Sequence, residues 1–287
     1  MLTYLQEAFP NLEIRTLTHL ANGKAGAVYL ANGEIVFKTH LASNTSDSNL
    51  ALEFAALELL HGKTTLAVPK PLYFATLSNG REILGMSLLS GVQFTDEIYA
   101  SLTEAEQSII YAQLGEFLHE MHTLPAPRLQ GATEYGNAPN SDYFYENYTD
   151  LVKNELTPTE QEKLAHIVQA FEATIHENPP PQVLNHGDLH FWNMHYNPLT
   201  KRLCGVLDFG LVSYHDPLND MCYFWSDSVA KMLTKYPAPL GAGAGARHLF
   251  YNLCNLIEEA REELERGGTK TYIGYVKEAM WQAVLHA

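Results

Sequence analysis

The sequence predicts an α+β fold, a small β-rich N-terminal part with one main helix followed by a larger helical part, divided at residues 1–90 and 91–287. Three observations predict it. Short runs of β-branched and aromatic residues, joined by tight-turn dipeptides, are concentrated before Gly91. Beyond it, apolar residues recur mainly at helical spacing. A chain of 287 residues that is 46% apolar and 18% charged is long and apolar enough to bury a core.

Taken in order, residues 23–38 (GKAGAVYLANGEIVFK) hold apolar runs at 27–30 and 35–37 around Asn32-Gly33, a dipeptide suited to the positive φ angles of a hairpin turn. This predicts two antiparallel strands. After a polar stretch, Leu52, Ala55, Ala56 and Leu59 mark a helix that Gly62 stops. Residues 72–77 and 82–89 read as two more extended segments across a Ser78-Asn79-Gly80 turn. Thr103 and Glu106 have the spacing of a capping box, and Ile110, Leu114, Phe117, Leu118 and Met121 form one apolar stripe behind it. Helical periodicity returns at 160–176, 247–266 and 272–285, with a hairpin expected over 194–209, turning at Asn197-Pro198. Residues 236–247 (YPAPLGAGAGAR) lack the lysine and hydroxyl ending of a phosphate-binding loop and read as a surface loop.

The formal charge is −15 and no stretch concentrates Lys and Arg, which argues against a nucleic-acid partner. Cys204, Cys222 and Cys254 are scattered without a disulfide framework. The N-terminal residues lack a basic, apolar leader, and no apolar run is long enough to span a membrane. A cytoplasmic protein without a membrane partner is expected.

Residues 186–197 (HGDLHFWNMHYN) carry the densest chemistry. One reading is a metal centre for hydrolysis built on His186, Asp188, His190 and His195. The other is phosphoryl transfer, which needs a carboxylate at the acceptor, oxygen ligands for magnesium and a cation on the nucleotide phosphates. Asp188 and Asn193 reproduce the D-x-x-x-x-N spacing of a kinase catalytic loop, and Asp208-Phe209-Gly210 closes the expected hairpin fifteen positions on. Carboxylate and amide oxygens suit magnesium. Lys38, on the strand after the first hairpin, and Glu53, on the following helix, stand where a phosphate-binding lysine and its partner belong, although Glu58 shares that helix. Gly23 and Gly26 permit the preceding turn to approach phosphates.

With those residues in view, the chain resembles the aminoglycoside phosphotransferase and choline kinase-like family of small-molecule kinases, a branch of the protein-kinase-like fold. HGDLHFWN is similar to its H-G-D-x-x-x-x-N loop, VLDFG to its aspartate-bearing hairpin, and HDPLND to its D-P-x-x-D segment. LGEFLHEMH (114–122) is similar to the helix beneath the loop. The resemblance covers nearly the whole chain. It implies a bilobal fold with ATP and Mg2+ as cofactors, Asp188 as catalytic base, Asn193 and Asp208 on the metal, and Lys38 on the phosphates with Glu53 behind it. It further implies a hinge near 85–91 whose backbone, including Ser87 and Leu88, contacts adenine, a structural role for His186, and a buried anchoring role for Asp220. His-Gly-Asp in place of His-Arg-Asp, with no Ala-Pro-Glu following, argues against protein substrates. The acceptor is then a hydroxyl of a small molecule, either an aminoglycoside-type antibiotic or a choline, homoserine or ketosamine-type metabolite. A nucleotide-binding pseudokinase is the remaining alternative. Trp192, Tyr214, Tyr223, Phe224 and Trp225 could line an acceptor pocket or simply pack in the core.

Overall fold

A strand turns successive side chains to opposite faces, and neighbouring residues Phe37 and Lys38 use both. Phe37 lies in an apolar cluster with Leu5, Ala31, Leu77 and Ile83, whereas Lys38 bonds to Glu53. One face of the sheet is thereby a hydrophobic core and the other a polar site.

The computed structural model describes residues 1–22, 26–40, 49–125, 127–134, 141, 142, 144, 145, 148 and 153–281. Its elements begin with α1 (Leu2–Ala8), β1 (Leu17–Asn22), β2 (Gly26–Ala31), β3 (Ile35–His40), α2 (Leu50–Leu60), β4 (Pro71–Thr76), β5 (Glu82–Ser87), β6 (Val92–Gln93), α3 (Asp96–Ser101) and α4 (Glu104–His122). They continue with β7 (Thr133–Glu134), α5 (Pro158–Glu177), β8 (Val183–Asn185), β9 (Met194–Asn197), β10 (Arg202–Val206), β11 (Ser213–His215), a 3-10 turn (Pro217–Met221), α6 (Ser226–Leu233), α7 (Ala244–Glu265) and α8 (Thr271–Met280). The α+β class is as expected. The chain forms two units, one of Met1–Ile110, Leu124–Ala132 and His190–Val212, the other of Tyr111–Thr123, Thr133–Leu189 and Ser213–Ala287.

In the first unit, an antiparallel sheet runs in the order β1-β2-β3-β5-β4. The predicted hairpin is β2–β3, with Asn32 and Gly33 at φ 54° and 74°. Helix α1 and strand β1 had no sequence signal; α1 is short, and β1 is exposed along most of its length. Helix α2 is capped by Asn49, whose side chain accepts from the Leu52 N–H at 2.9 Å. The expected hairpin over 194–209 is β9–β10, turned by the Lys201 N–H bond to the Asn197 carbonyl at 2.8 Å.

The second unit packs α5 and α8 against α7, beside a small sheet in the order β7-β11-β8. The α4 capping box forms, with Thr103 N–H to Glu106 at 2.8 Å and Glu106 N–H to Thr103 at 3.3 Å. All of the predicted α4 stripe is buried. Gly115 lets that helix touch α6, for an added Cβ would stand 2.0 Å from the Met232 carbonyl oxygen.

Residues 236–243 form the expected loop, exposed at 237, 239 and 241–243, but parts of 236–247 depart from a surface loop. Tyr236, Leu240, Ala244 and Arg247 are buried, and α7 has begun by Ala244. The small residues permit close packing, and Arg247 satisfies its guanidinium on Asp216 and on the carbonyls of Leu240 and Ala242. The predicted helix at 272–285 is seen to Met280, and residues 282–287 lie outside the described residues.

Candidate functional site

The first unit joins Lys38, Glu53 and Asp208. The Lys38 ammonium donates to both Glu53 carboxylate oxygens, at 2.8 and 3.1 Å, and to Asp208 Oδ1 at 2.8 Å. Glu53 is fully buried while Glu58 is exposed, which decides between the two candidates on α2. Burial pulls the Lys38 pKa down, but the carboxylates of Glu53 and Asp208 outweigh it and raise the pKa above the ordinary lysine value. Burial pushes Glu53 up against the pull of Lys38 and of the Phe209 N–H. The bidentate contact with the ammonium offsets part of the desolvation of Glu53.

Asp208 follows β10 with φ at 66°, a left-handed conformation that aspartate tolerates better than most residues. The Leu207 N–H bonds the Asn193 carbonyl at 2.8 Å and ties the two predicted metal residues together through the backbone. The Asn193 amide nitrogen lies 3.2 Å from His190 Nε2, which sets the amide's orientation and turns its oxygen to the other side. A carboxylate and an amide oxygen, close in the chain's fold and beside a lysine, fit a hard divalent cation such as magnesium.

Gly26 is on β2, where a Cβ would stand 2.1 Å from the Thr39 carbonyl oxygen; close strand approach accounts for this glycine without a phosphate. Gly23 lies outside the described residues. Ser87 ends β5, and its N–H bonds the Lys70 carbonyl at 2.9 Å; the Leu88 N–H bonds the Glu34 carbonyl, also at 2.9 Å. Both of these amides are therefore engaged within the protein.

The second unit holds Asp188. Its backbone N–H bonds His186 Nδ1 at 3.2 Å, and its Oδ1 accepts the Tyr223 hydroxyl at 2.8 Å. The N–H groups of His186 and Gly187 bond Asp220 at 2.8 and 2.9 Å, and His122 Nε2 lies 3.0 Å from the same carboxylate. Gly187, at φ 83°, supplies the turn that lets both amides point inward. His186 and Asp220 are therefore buried supports, as the resemblance implied. Asp216 caps the 3-10 turn by accepting from Leu218 N–H at 3.0 Å and pairs with buried Arg247 at 2.6 Å.

Sequence reasoning gave no role to His122, Arg247, His248 or Asn252. A histidine at a helix end and a glycine inside LGEFLHEMH were the available signals for the first. Tyr214 and Phe224 are buried as core residues, while Trp192 is 48% exposed. Among the described residues no group of three or more His, Cys, Asp and Glu side chains is arranged to hold a metal, and the His195 ring bonds the Ser90 carbonyl at 2.9 Å. The histidine metal reading has no support there.

A family model described as the phosphotransferase enzyme family matches residues 16–262. The GDP complex of aminoglycoside 2'-phosphotransferase-IIIa superposes with a TM-score of 0.73 at 19% identity, covering 97% of this chain and 95% of that one. The streptomycin-ATP ternary complex of APH(2")-IIa gives 0.61 at 22% identity, covering 97% and 96%. At such identities these likenesses speak for the fold. Acyl-CoA dehydrogenase family member 11 of Homo sapiens is 26% identical over 171 residues, 56% of this chain but only 22% of that protein's length.

Proposed function

We propose, because this chain belongs to the phosphotransferase enzyme family, that it moves the γ-phosphate of MgATP to a hydroxyl of a small molecule. The family membership makes it a small-molecule kinase in class; the nucleotide, the metal, the acceptor and each residue's role are our reading. The observation that carries it is the Lys38 ammonium bonded at once to Glu53 and Asp208. A cation fixed by a buried carboxylate is the group that phosphates require, and phosphate oxygens entering beside it compete with Asp208 for its protons. Asp208, released, and Asn193 would hold magnesium, which supplies charge neutralisation on the β and γ phosphates. Asp188 orients the acceptor hydroxyl and takes its proton as the new P–O bond forms and the bond from the γ-phosphorus to the departing ADP breaks. Backbone groups of the hinge at 85–91, including Ser87 and Leu88, would contact adenine.

For the acceptor we favour an aminoglycoside-type compound. The solved relatives include complexes with kanamycin, gentamicin and streptomycin, and a formal charge of −15 attracts polycations at long range. A choline, homoserine or ketosamine-type metabolite is the alternative acceptor. Free Cys204, Cys222 and Cys254 suit a reducing cytoplasm, and among the described residues no helix is long and apolar enough to cross a membrane. Calorimetry tests the nucleotide half. ATP is expected to bind with magnesium, and Lys38→Met to weaken it at least about tenfold; equal affinity in wild type and Lys38→Met would refute the assignment.

A further inference from the structure

Asp188 is held by two devices that come from one short segment. Asp220, in the 3-10 turn, receives the backbone N–H groups of His186 and Gly187 and so fixes the chain leading to the base. Three residues later Tyr223 donates its hydroxyl to Asp188 Oδ1 at 2.8 Å and so fixes the carboxylate itself. A terminal carboxylate torsion is broad and nearly two-fold when nothing holds it. One short bond to a rigid phenol selects the plane.

The phenol is rigid because α7 grips the backbone on both sides of it. Asn252 donates to the Cys222 carbonyl at 2.7 Å, and His248 Nε2 lies 3.0 Å from the Phe224 carbonyl and 3.3 Å from that of Met221. Asn252, His248, Met221, Cys222 and Phe224 are all buried. We propose that Tyr223 is a positioning residue for phosphoryl transfer, its hydroxyl orienting the Asp188 carboxylate so that the acceptor hydroxyl is taken by the remaining oxygen, with α7 as the support. This rests on the reading of Asp188 as the base. Burial, and then the Asp188 carboxylate, push the Tyr223 pKa far above the usual phenol value, so the group stays a donor throughout the working pH range.

The bond makes a prediction that needs no acceptor. A donor to the charged carboxylate lowers its pKa, so its loss must raise it. His186 from its own loop, and Cys222 and Tyr223 from the later segment, lie beside Asp188; Tyr223→Phe removes one hydroxyl and keeps the ring. In the full chain, carbon-13 NMR of labelled aspartate, with the Asp188 signal identified by Asp188→Asn, should show the Asp188 pKa rising by about one unit in Tyr223→Phe while the melting temperature holds within a few degrees. Asn252→Ser, which loosens the segment from α7, should move it the same way by less. An unmoved Asp188 titration in folded Tyr223→Phe overturns the inference. In MgATP turnover with aminoglycosides, choline, homoserine or ketosamines as acceptor, kcat should fall about tenfold for Tyr223→Phe with KM for ATP unchanged. Full turnover by Asp188→Ala would instead remove the base, and the inference with it, while leaving the NMR-detected bond in place, so the two failures are distinct.

Discussion

Asp220→Ala removes an acceptor on which three donors converge, two of them buried: the N–H groups of His186 and Gly187 and the ring of His122, at 2.8, 2.9 and 3.0 Å. The carboxylate is 1% exposed, so water does not readily replace it. Each of these donors left unsatisfied costs roughly 1–3 kcal/mol. A loss of about 4 kcal/mol is expected. The effect extends further, because His122 Nδ1 meets the Tyr236 hydroxyl at 2.9 Å. With Nε2 donating to Asp220, Nδ1 must accept from Tyr236; without Asp220 that tautomer is no longer selected. Asp220→Asn keeps one acceptor oxygen and should lose about half as much. Urea unfolding, followed by circular dichroism at constant m-value, measures both variants. A loss below about 1 kcal/mol for Asp220→Ala would refute the claim that this carboxylate holds the loop.

Gly115→Ala should destabilise by about 3 kcal/mol despite the better helix propensity of alanine, since backbone meets the new Cβ at 2.0 Å; a gain in thermal stability would contradict the helix contact. Burial lowers the pKa of His215 and of His248 against nearby carboxylate and carbonyl groups. The unfolded chain then binds protons that the folded chain refuses, so stability is full above pH ~6.5 and falls below it by up to about 1.4 kcal/mol per proton per pH unit. Urea midpoints at pH 7.5 and 5.5 test this, and Glu106, kept at about 2 chiefly by its bond to Lys201, stays charged over the window. Glu53→Gln leaves Lys38 held by Asp208 alone and should weaken ATP binding about tenfold. A double-mutant cycle with Lys38→Met should show at least about 1 kcal/mol of coupling; additivity would separate the two residues.

The sequence made the site's chain order legible because a catalytic loop and an aspartate hairpin have fixed spacing. Lys38 was legible because a turn dipeptide set the register of β2 and β3. Glu53 was preferred to Glu58 by the spacing of the resemblance alone, since both share a helix and only packing shows which one is buried. The left-handed φ of Asp208 was not legible, for tertiary structure imposes it on a residue with no local need for it. Arg247 lay hidden in a stretch whose glycines read as a loop, because its burial depends on a carboxylate 31 positions away. The same holds for Tyr223 and Asp188, separated by 35 positions. Short-range patterns carry elements; long-range polar pairs have no pattern in one sequence.

MgATP turnover across a panel of aminoglycosides, choline, homoserine, ketosamines and simple sugars, with Asp188→Ala alongside, tests the account most directly. Acceptor-dependent ADP release by the wild type, lost at least about a thousandfold in Asp188→Ala, is the predicted result. Undiminished transfer by Asp188→Ala would contradict the central claim.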